Sequence, residues 1–245
     1  MNRYKNSLSA APLGLILTTL LTVCCVLPVL LPGVRAQGKE SPELQQVYRQ
    51  MEAAGRNLRT LAAKISEKKY TAILKEFGAT ETGEFLLARA KDGSTMMRRE
   101  ITSPGKVILT IKGNTLTVYR PTLKEAQIVN LGKNRDKAEF LALGIAKPPS
   151  ELQKIFDIAY ERMESVAGEP CAVLLLKPKD QKTAAFYSAI GMWVKKSSGI
   201  PIQYKLQEPN NDYLLVTFSN ERLNLKIPES RFEQKLPKGV EQMRF

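Results

Sequence analysis

The segment spanning residues 104–131 constrains the fold most, because it has the pattern of three consecutive β-strands. Two runs in which apolar residues alternate with less apolar ones, at 107–111 and 115–119, flank a Lys-Gly-Asn sequence with turn chemistry. Arg120-Pro121 then interrupts the chain before a third short run at 125–131. The segment therefore predicts an antiparallel meander with one apolar face.

Further strand patterns surround this meander, and a long amphipathic helix precedes all of them. The helix is predicted to begin at Ser41-Pro42-Glu43, because a capping hydroxyl, a first-turn proline and an acidic residue favour a helix start. Its apolar stripe consists of Leu44, Val47, Met51, Ala54, Leu58 and Leu61. The other strands are predicted at 70–77, 84–90, 95–102, 171–176, 189–195, 202–207, 213–218 and 223–226.

Two short helices are predicted between the strands, on either side of Pro148-Pro149. The first has a stripe of Ala138, Leu141, Ala142 and Ile145, and the second has Leu152, Ile155, Phe156 and Ala159. Such helices either pack on the sheet as ordinary core or close its open end. The whole pattern predicts a mainly β fold with helices (α+β): a half-open antiparallel β-barrel of about eleven strands, with a long N-terminal helix and a helical lid or plug.

Residues 1–36 have the organisation of a secretory signal peptide. Two basic residues precede an almost unbroken apolar run at 13–31, and Val34-Arg35-Ala36 offers small residues for cleavage. One alternative is an uncleaved membrane anchor, because the apolar run approaches the ~20 residues of a spanning helix. Lipidation at Cys24 is another alternative. Residues 37–245 contain no linker or repeat and are predicted to form a single domain.

Charge and composition limit the functions that this chain can have. The 37 basic and 24 acidic residues become a net charge of +10 once residues 1–36, with three basic residues, are removed. An anionic membrane surface, an acidic partner or a lysine-rich solvated surface explains this charge, whereas export argues against nucleic acid. The chain has no histidine, and it has no metal-ligand spacing or phosphate loop. Neither an enzyme nor a metal or cofactor site is predicted.

One predicted strand places an arginine among apolar residues. Phe85, Leu87 and Arg89 share one face of the strand at 84–90. The guanidinium either enters the interior with them or reaches water at the strand end. Cys171, the only cysteine after the leader, is predicted to be a small buried hydrophobe. The apolar residues of the sheet suit either a packed core or a cavity that accepts acyl chains.

Four segments occur in a recognisable order: GEFLLAR at 83–89, TSP at 102–104, IKGNTLTVYRP at 111–121 and RFEQKLPKGV at 231–240. Together with the leading helix, this order resembles the LolA-like family of periplasmic lipoprotein carriers. It resembles more distantly the lipid-sensing domains that share their fold. The resemblance covers nearly all of the chain after residue 36.

The resemblance implies a periplasmic carrier whose barrel lumen holds lipoprotein acyl chains during transfer from the inner to the outer membrane. It also implies that Arg89 is a latch, which hydrogen-bonds to a lid formed by residues 136–159 and holds it shut. The residues expected to line the lumen are Phe85, Leu87, Met97, Val107, Leu109, Ile111, Leu116, Val118, Leu141 and Ile145.

The expected partners are acylated lipoproteins or lipids and an inner-membrane lipoprotein-releasing transporter, while the existence of an outer-membrane receptor stays open. No cofactor and no nucleic acid are expected, and the carrier is expected to be a monomer. An alternative function of another class is an envelope lipid-sensing or regulatory interaction module on the same fold, which does not shuttle cargo.

Overall fold

The computed structural model of the protein describes residues 40–90, 93–132 and 147–245. Its helices are α1 (Pro42–Asn57), α2 (Pro149–Ile155) and α3 (Gln181–Ala184), and 3-10 turns occupy Pro121–Leu123 and Glu229–Phe232. The strands are β1 (Thr60–Thr71), β2 (Glu76–Phe77), β3 (Glu81–Arg89), β4 (Thr95–Ser103), β5 (Val107–Lys112), β6 (Thr115–Arg120), β7 (Glu125–Asn130), β8 (Phe156–Val166), β9 (Glu169–Pro178), β10 (Ala189–Lys195), β11 (Pro201–Gln207), β12 (Tyr213–Leu223) and β13 (Glu241–Arg244). Within these ranges, none of the helices has the length and apolar character that crossing a bilayer requires.

The strands form one large sheet in the order β13-β7-β6-β5-β4-β3-β1-β12-β11-β10-β9-β8, and β2 pairs with β1 outside this path. Neighbouring strands are antiparallel, except that β13 runs parallel to β7. The sheet is curled and open. One apolar cluster on its concave face extends across the sheet, from β5 near one side to β8 at the other. The predicted half-open antiparallel barrel with a long N-terminal helix is confirmed. The described residues form 13 strands rather than about eleven.

Helix α1 begins where its capping residues predict. The Ser41 hydroxyl accepts a hydrogen bond from the Leu44 amide at 3.2 Å, and Pro42 and Glu43 occupy the first turn. The helix ends at Asn57, with Leu58 as its extended C-cap. The predicted stripe was wrong at its last residue, because Leu61 lies in β1 and its side chain follows strand alternation.

The first predicted strand, at 70–77, is also wrong. Strand β1 already begins at Thr60, and a turn at residues 72–75 separates it from the two-residue strand β2. Lys75 in that turn has φ 54°, a left-handed conformation that no continuous strand contains. The chain therefore reverses within the predicted strand.

The meander predicted at 104–131 is confirmed. Strands β5, β6 and β7 pair consecutively, with Lys112 opposite Thr115 and Arg120 opposite Glu125. Gly113 has φ 56° in the tight turn between β5 and β6, where a residue with a side chain would be strained.

Two predicted elements of the second half differ in the structure. The helix expected to reach Ala159 ends at Ile155, because Phe156, Ile158 and Tyr160 continue as strand β8 and pair with β9. No strand occurs at 224–226, since β12 ends at Leu223. The predicted helix with Leu141 and Ile145 lies outside the described residues.

Both faces of the sheet are covered by apolar residues. The concave face carries the main cluster, to which α1 and α2 contribute. On the convex face, the C-terminal segment packs Phe232 against β3 and β4, and Leu236 and Val240 against β5 to β7. Cys171 is fully buried in another convex cluster beside Trp193, which confirms the prediction of a small buried hydrophobe.

Candidate functional site

The predicted lumen residues within the described ranges lie on one face of the sheet, the concave face. Strand register aligns seven of them in two rungs, which are Leu87–Met97–Ile111–Leu116 and Phe85–Arg99–Leu109–Val118, and Val107 lies opposite Ile101 on the next rung. Phe85, Leu87, Met97 and Ile111 are at most 2% exposed and belong to the main cluster. Leu141 and Ile145 lie outside the described residues.

Helix α1 fills part of the concave face. Leu44, Val47, Tyr48 and Met51 join the same apolar cluster as residues of β8 to β12. Helix α1 lies close to the turn between β10 and β11, because a Cβ added at Gly199 would lie 2.3 Å from the carbonyl oxygen of Gln50. This side of the concave face is therefore occupied by the protein's own side chains.

The part of the concave face formed by β5 and β6 is less fully covered. Val107, Leu109 and Leu116 pack against the main cluster but are only half-buried, and Val118, on the rung of Leu109, is half-buried as well. When an apolar ligand covers half-buried apolar side chains, the free energy of the system falls. These four residues define the half-buried area of the concave face.

Two cavities lined by described residues lie elsewhere. One of about 370 Å³ lies between the end of α1 and the turn between β10 and β11, with Ala54 and Ile200 in its wall. The other, of about 450 Å³, is on the convex side and is lined by Leu86 and Ile227 among others. Neither contains a predicted lumen residue.

A buried ion pair that the sequence analysis missed crosses the concave face. Glu67 on β1 is 5% exposed, and its two carboxylate oxygens accept hydrogen bonds from Nε and Nη2 of Arg99 on β4. The Glu81 carboxylate lies 3.5 Å from the same guanidinium. Burial alone would lower the pKa of Arg99, but the hydrogen bonds and charges of these two carboxylates raise it above its usual value.

The Glu67–Arg99 pair reaches across an entire strand. Glu67 faces Glu81 on β3, Arg99 faces Phe85, and the position between those two on the concave face is Gly83. Gly83 has no side chain, and the atoms nearest to a Cβ built there belong to the backbone of Glu100 and Ile101 on β4. A correct start for β1 would have placed Glu67 on an apolar face, since it follows Ala63 and Ile65 at alternate positions, but it would not have identified Arg99 as the partner.

Tyr204 supplies a second polar group within the concave cluster. Its side chain is 1% exposed, and its hydroxyl has no hydrogen-bond partner among the residues that the structure describes. Burial raises the pKa of Tyr204 well above the usual value of a tyrosine. The hydroxyl is therefore neutral at physiological pH and is able to donate a hydrogen bond to a ligand oxygen.

Arg89 lies at the end of β3 on the same face as Phe85 and Leu87. Its Nε donates to the carbonyl oxygen of Leu58, and its Nη2 donates to that of Gly55, both at 3.2 Å. These carbonyls belong to the C-terminal end of α1, where a cation is favoured by the helix dipole and by unpaired acceptors. Arg89 therefore joins α1 to the sheet. The lid predicted at 136–159 includes residues 136–146, which lie outside the described residues, and its contact with Arg89 stays a prediction.

Helix α2, the described part of the predicted lid, contacts the opposite end of α1. Gln153 of α2 donates to the Glu40 carboxylate at 2.6 Å, just before α1 begins. Burial and the nearby Glu40 charge raise the pKa of Tyr48 to about 12, against the opposing effect of a hydrogen bond with Gln153. Polar contacts thus connect the two helices above the apolar face.

Comparison with known proteins gives one matching family. The family model described as "Outer membrane lipoprotein carrier protein LolA" matches residues 59–235. The chain is also similar to the "Outer-membrane lipoprotein carrier protein" of Chromobacterium violaceum, with 26% identity over 214 residues. That similarity covers 87% of this chain and 95% of the relative.

Solved structures with similar folds have little sequence identity to this chain. An uncharacterized conserved protein from Thermus thermophilus aligns with a TM-score of 0.53 and 10% identity, covering 83% of this chain and 99% of that one. MucB aligns with a TM-score of 0.50 and 14% identity, covering 81% of this chain and 65% of its own. These two structures establish similarity of fold alone.

Proposed function

Because the chain belongs to the LolA family of outer membrane lipoprotein carrier proteins, we propose that it is a periplasmic carrier that moves lipoproteins from the inner to the outer membrane. Membership supports a role in lipoprotein binding, as a carrier or in sorting. The proposal adds the direction of transfer and the binding surface. Acyl chains occupy the half-buried area of Val107, Leu109, Leu116 and Val118.

The observation that carries this proposal is the uneven covering of the concave face. The same rung contains fully buried Phe85 and half-buried Leu109 and Val118, so apolar packing decreases from β3 toward β6. A methylene group costs ~0.8 kcal/mol to expose to water, so acyl chains in transit need an apolar shelter. A carrier has to provide such a surface and has no need of catalytic groups.

Arg89 is proposed to control access to this surface. It already holds the carbonyls of Gly55 and Leu58 at the end of α1. In the proposal, cargo entry displaces the lid expected at residues 136–159, and Arg89 changes its hydrogen bonds when the lid moves. The proposed partners are acylated lipoproteins and an inner-membrane transporter that releases them. An outer-membrane acceptor completes the route where one exists.

A titration with an acylated probe tests the binding surface. The chain from residue 37 is titrated with a fluorescent fatty acid and then with a detergent-solubilised lipoprotein. Leu109→Asp and Val118→Asp are each expected to weaken binding by about tenfold or more, because a carboxylate among acyl chains loses its hydration. Leu225→Asp, at a residue 41% exposed outside the concave face, is the matched control. Binding that the two variants leave unchanged contradicts the surface, and absence of saturable binding contradicts the function.

Depletion of the protein in cells tests the direction of transfer. A carrier leaves outer-membrane lipoproteins in the inner membrane when it is removed, and fractionation followed by immunoblotting detects them. A regulatory module that senses lipid without shuttling leaves lipoprotein localisation unchanged. That outcome would favour the alternative function on the same fold.

A further inference from the structure

Most of the highly exposed large apolar side chains of the described residues lie along one rim of the sheet, where several strands begin or end. Ile73, Phe186, Leu74 and Leu123 are 89%, 71%, 62% and 60% exposed, respectively. Among the described residues, the one other large apolar side chain exposed to this degree is the C-terminal Phe245. Exposing apolar side chains to water costs free energy, so several of them on one rim indicate an interaction surface.

Strand register places these residues at the same ends of the strands, spread from β6 to β10 in the sheet order. The rungs Tyr70–Tyr213, Tyr213–Gln207 and Gln207–Ala189 lead from the end of β1 to the start of β10, which follows Phe186 by three residues. In the other direction, β4 and β6 end at the same edge as β1, and Leu123 follows the end of β6. We call this edge, defined by Ile73, Leu74, Leu123 and Phe186, the hairpin edge.

The turn between β1 and β2 is the most prominent part of the hairpin edge. It extends past Tyr70–Tyr213, the last rung between β1 and β12. The rings of Tyr70, Phe77 and Tyr213 pack against one another at its base, with centroids 4.8–5.8 Å apart. The amide of Ala72 also donates to an Asp212 carboxylate oxygen at 2.8 Å. Ile73 and Leu74 are therefore held outward on a supported turn.

Each apolar tip of the hairpin edge has an exposed lysine nearby in the chain. Lys75 follows Leu74, Lys124 follows Leu123, and Lys182 lies one helical turn before Phe186. Within the described residues, none of these three lysines forms a salt bridge, and neither do Glu76 and Glu125, which directly follow Lys75 and Lys124. Glu208 and Asp212 pair with Lys69, and Asp180 caps α3. The acid next to Lys182 is thus engaged, and residues 37–245 as a whole carry a net charge of +10.

We propose that the hairpin edge docks on an anionic phospholipid bilayer. Ile73, Leu74, Leu123 and Phe186 enter the boundary between headgroups and acyl chains, and the three lysines contact lipid phosphates. Separate apolar tips suit a deformable bilayer surface, whereas docking of a folded protein partner generally uses a continuous complementary patch.

The inference rests on the proposed carrier function and deepens it. Two half-buried residues of the concave cluster, Val107 and Leu214, lie at or next to the strand ends that form the hairpin edge. Docking through this edge brings the concave face against the membrane, so that an acyl chain passes between the bilayer and the protein with little exposure to water.

Vesicle flotation with the chain from residue 37 tests the inference. Vesicles of phosphatidylethanolamine with phosphatidylglycerol are compared with phosphatidylcholine vesicles at low and high salt. The wild-type protein is expected to bind the anionic vesicles, and salt is expected to weaken this binding. I73S/L74S and F186S are expected to weaken binding by about tenfold or more, because buried apolar area is lost. K75Q/K124Q/K182Q is expected to remove the preference for anionic vesicles.

The control is L225S, because Leu225 is exposed but follows β12 at the opposite edge. Its vesicle binding is expected to equal that of the wild type, and thermal melting checks that every variant is folded. Wild-type protein that fails to float, or apolar variants that float like the wild type, would overturn the inference. Fatty acid binding is measured in parallel. Retained fatty acid binding without vesicle binding refutes the docking edge alone, whereas loss of saturable fatty acid binding in the wild type refutes the carrier function.

Discussion

Arg99 on β4 and Glu67 on β1 form a salt bridge across β3, above Gly83, within the apolar concave face. Two charges in such a place need one another, because each loses most of its hydration. The pair connects the three neighbouring strands β1, β3 and β4, beside the surface that is proposed for acyl chains on β5 and β6.

Arg99→Leu is expected to lower the free energy of unfolding by about 3 kcal/mol, because Glu67 remains buried without its partner. Urea unfolding measures this change. The double variant Glu67→Leu/Arg99→Leu is expected to recover most of the lost stability. If the losses of unfolding free energy in the two single variants simply added in the double variant, Glu67 and Arg99 would not be energetically coupled.

Gly83→Ala is expected to destabilise the protein by about 3 kcal/mol, because its Cβ has no space. That atom would lie 1.9 Å from the carbonyl oxygen of Glu100. Gly78→Ala is the control, since the nearest atom to its Cβ would be at an ordinary 3.7 Å. Thermal unfolding of both variants checks the prediction, and equal midpoints would refute it.

Tyr204→Phe is expected to raise the free energy of unfolding by about 1 kcal/mol, because a buried hydroxyl without a hydrogen-bond partner is removed. Urea unfolding without ligand measures this. If the hydroxyl bonds to cargo, the same variant binds acyl esters more weakly than the wild type. A destabilised variant would mean that the hydroxyl is already satisfied in the folded protein.

Tyr48 is expected to make stability fall between pH 10 and 12. Its folded pKa of about 12 lies above the usual value of 10, so the folded protein retains a proton that the unfolded chain has lost. The stabilisation is complete below pH 10 and disappears as the pH rises to 12, at a loss of up to about 3 kcal/mol. Tyr48→Phe is expected to flatten this dependence in urea unfolding across the same pH range. An unchanged slope would contradict the assignment to Tyr48.

Arg89→Leu is expected to change the rate of cargo release by a larger factor than the folding equilibrium. The two hydrogen bonds to Leu58 and Gly55 account for about 1–2 kcal/mol of stability at most. Stopped-flow release of a fluorescent fatty acid measures the rate, and Arg89→Lys is the charge-retaining control. An unchanged release rate would refute the latch.

Strand alternation in the sequence predicted much of the sheet, because a half-buried strand leaves a period of two in its apolar residues. The meander of β5 to β7 and the bounds of β10 follow directly from it. The predictions were wrong where two periods overlap, as at Leu58 and Leu61, where helical spacing continues smoothly into a strand. Phe156 marks a similar change, from α2 to β8.

The candidate site was predicted only in its apolar part. The shared face of Phe85 and Leu87 could be predicted because β3 has its own alternation. The Glu67–Arg99 pair depends on which strands become neighbours, and local patterns do not contain that information. The contact of Arg89 with the end of α1 depends on packing of a helix against a distant strand in the same way.

The parallel strand β13 also limits edge-to-edge aggregation of the sheet. It covers the outer side of β7 with only four residues, so that this margin offers little backbone for another molecule to extend. The other margin, β8, is interrupted by a bulge between Tyr160 and Arg162, and Arg162 there pairs with Glu161 and Glu164. One edge strand is short, and the other has a bulge and charged side chains. The sheet can therefore remain open without its edges pairing with other molecules to form fibrils.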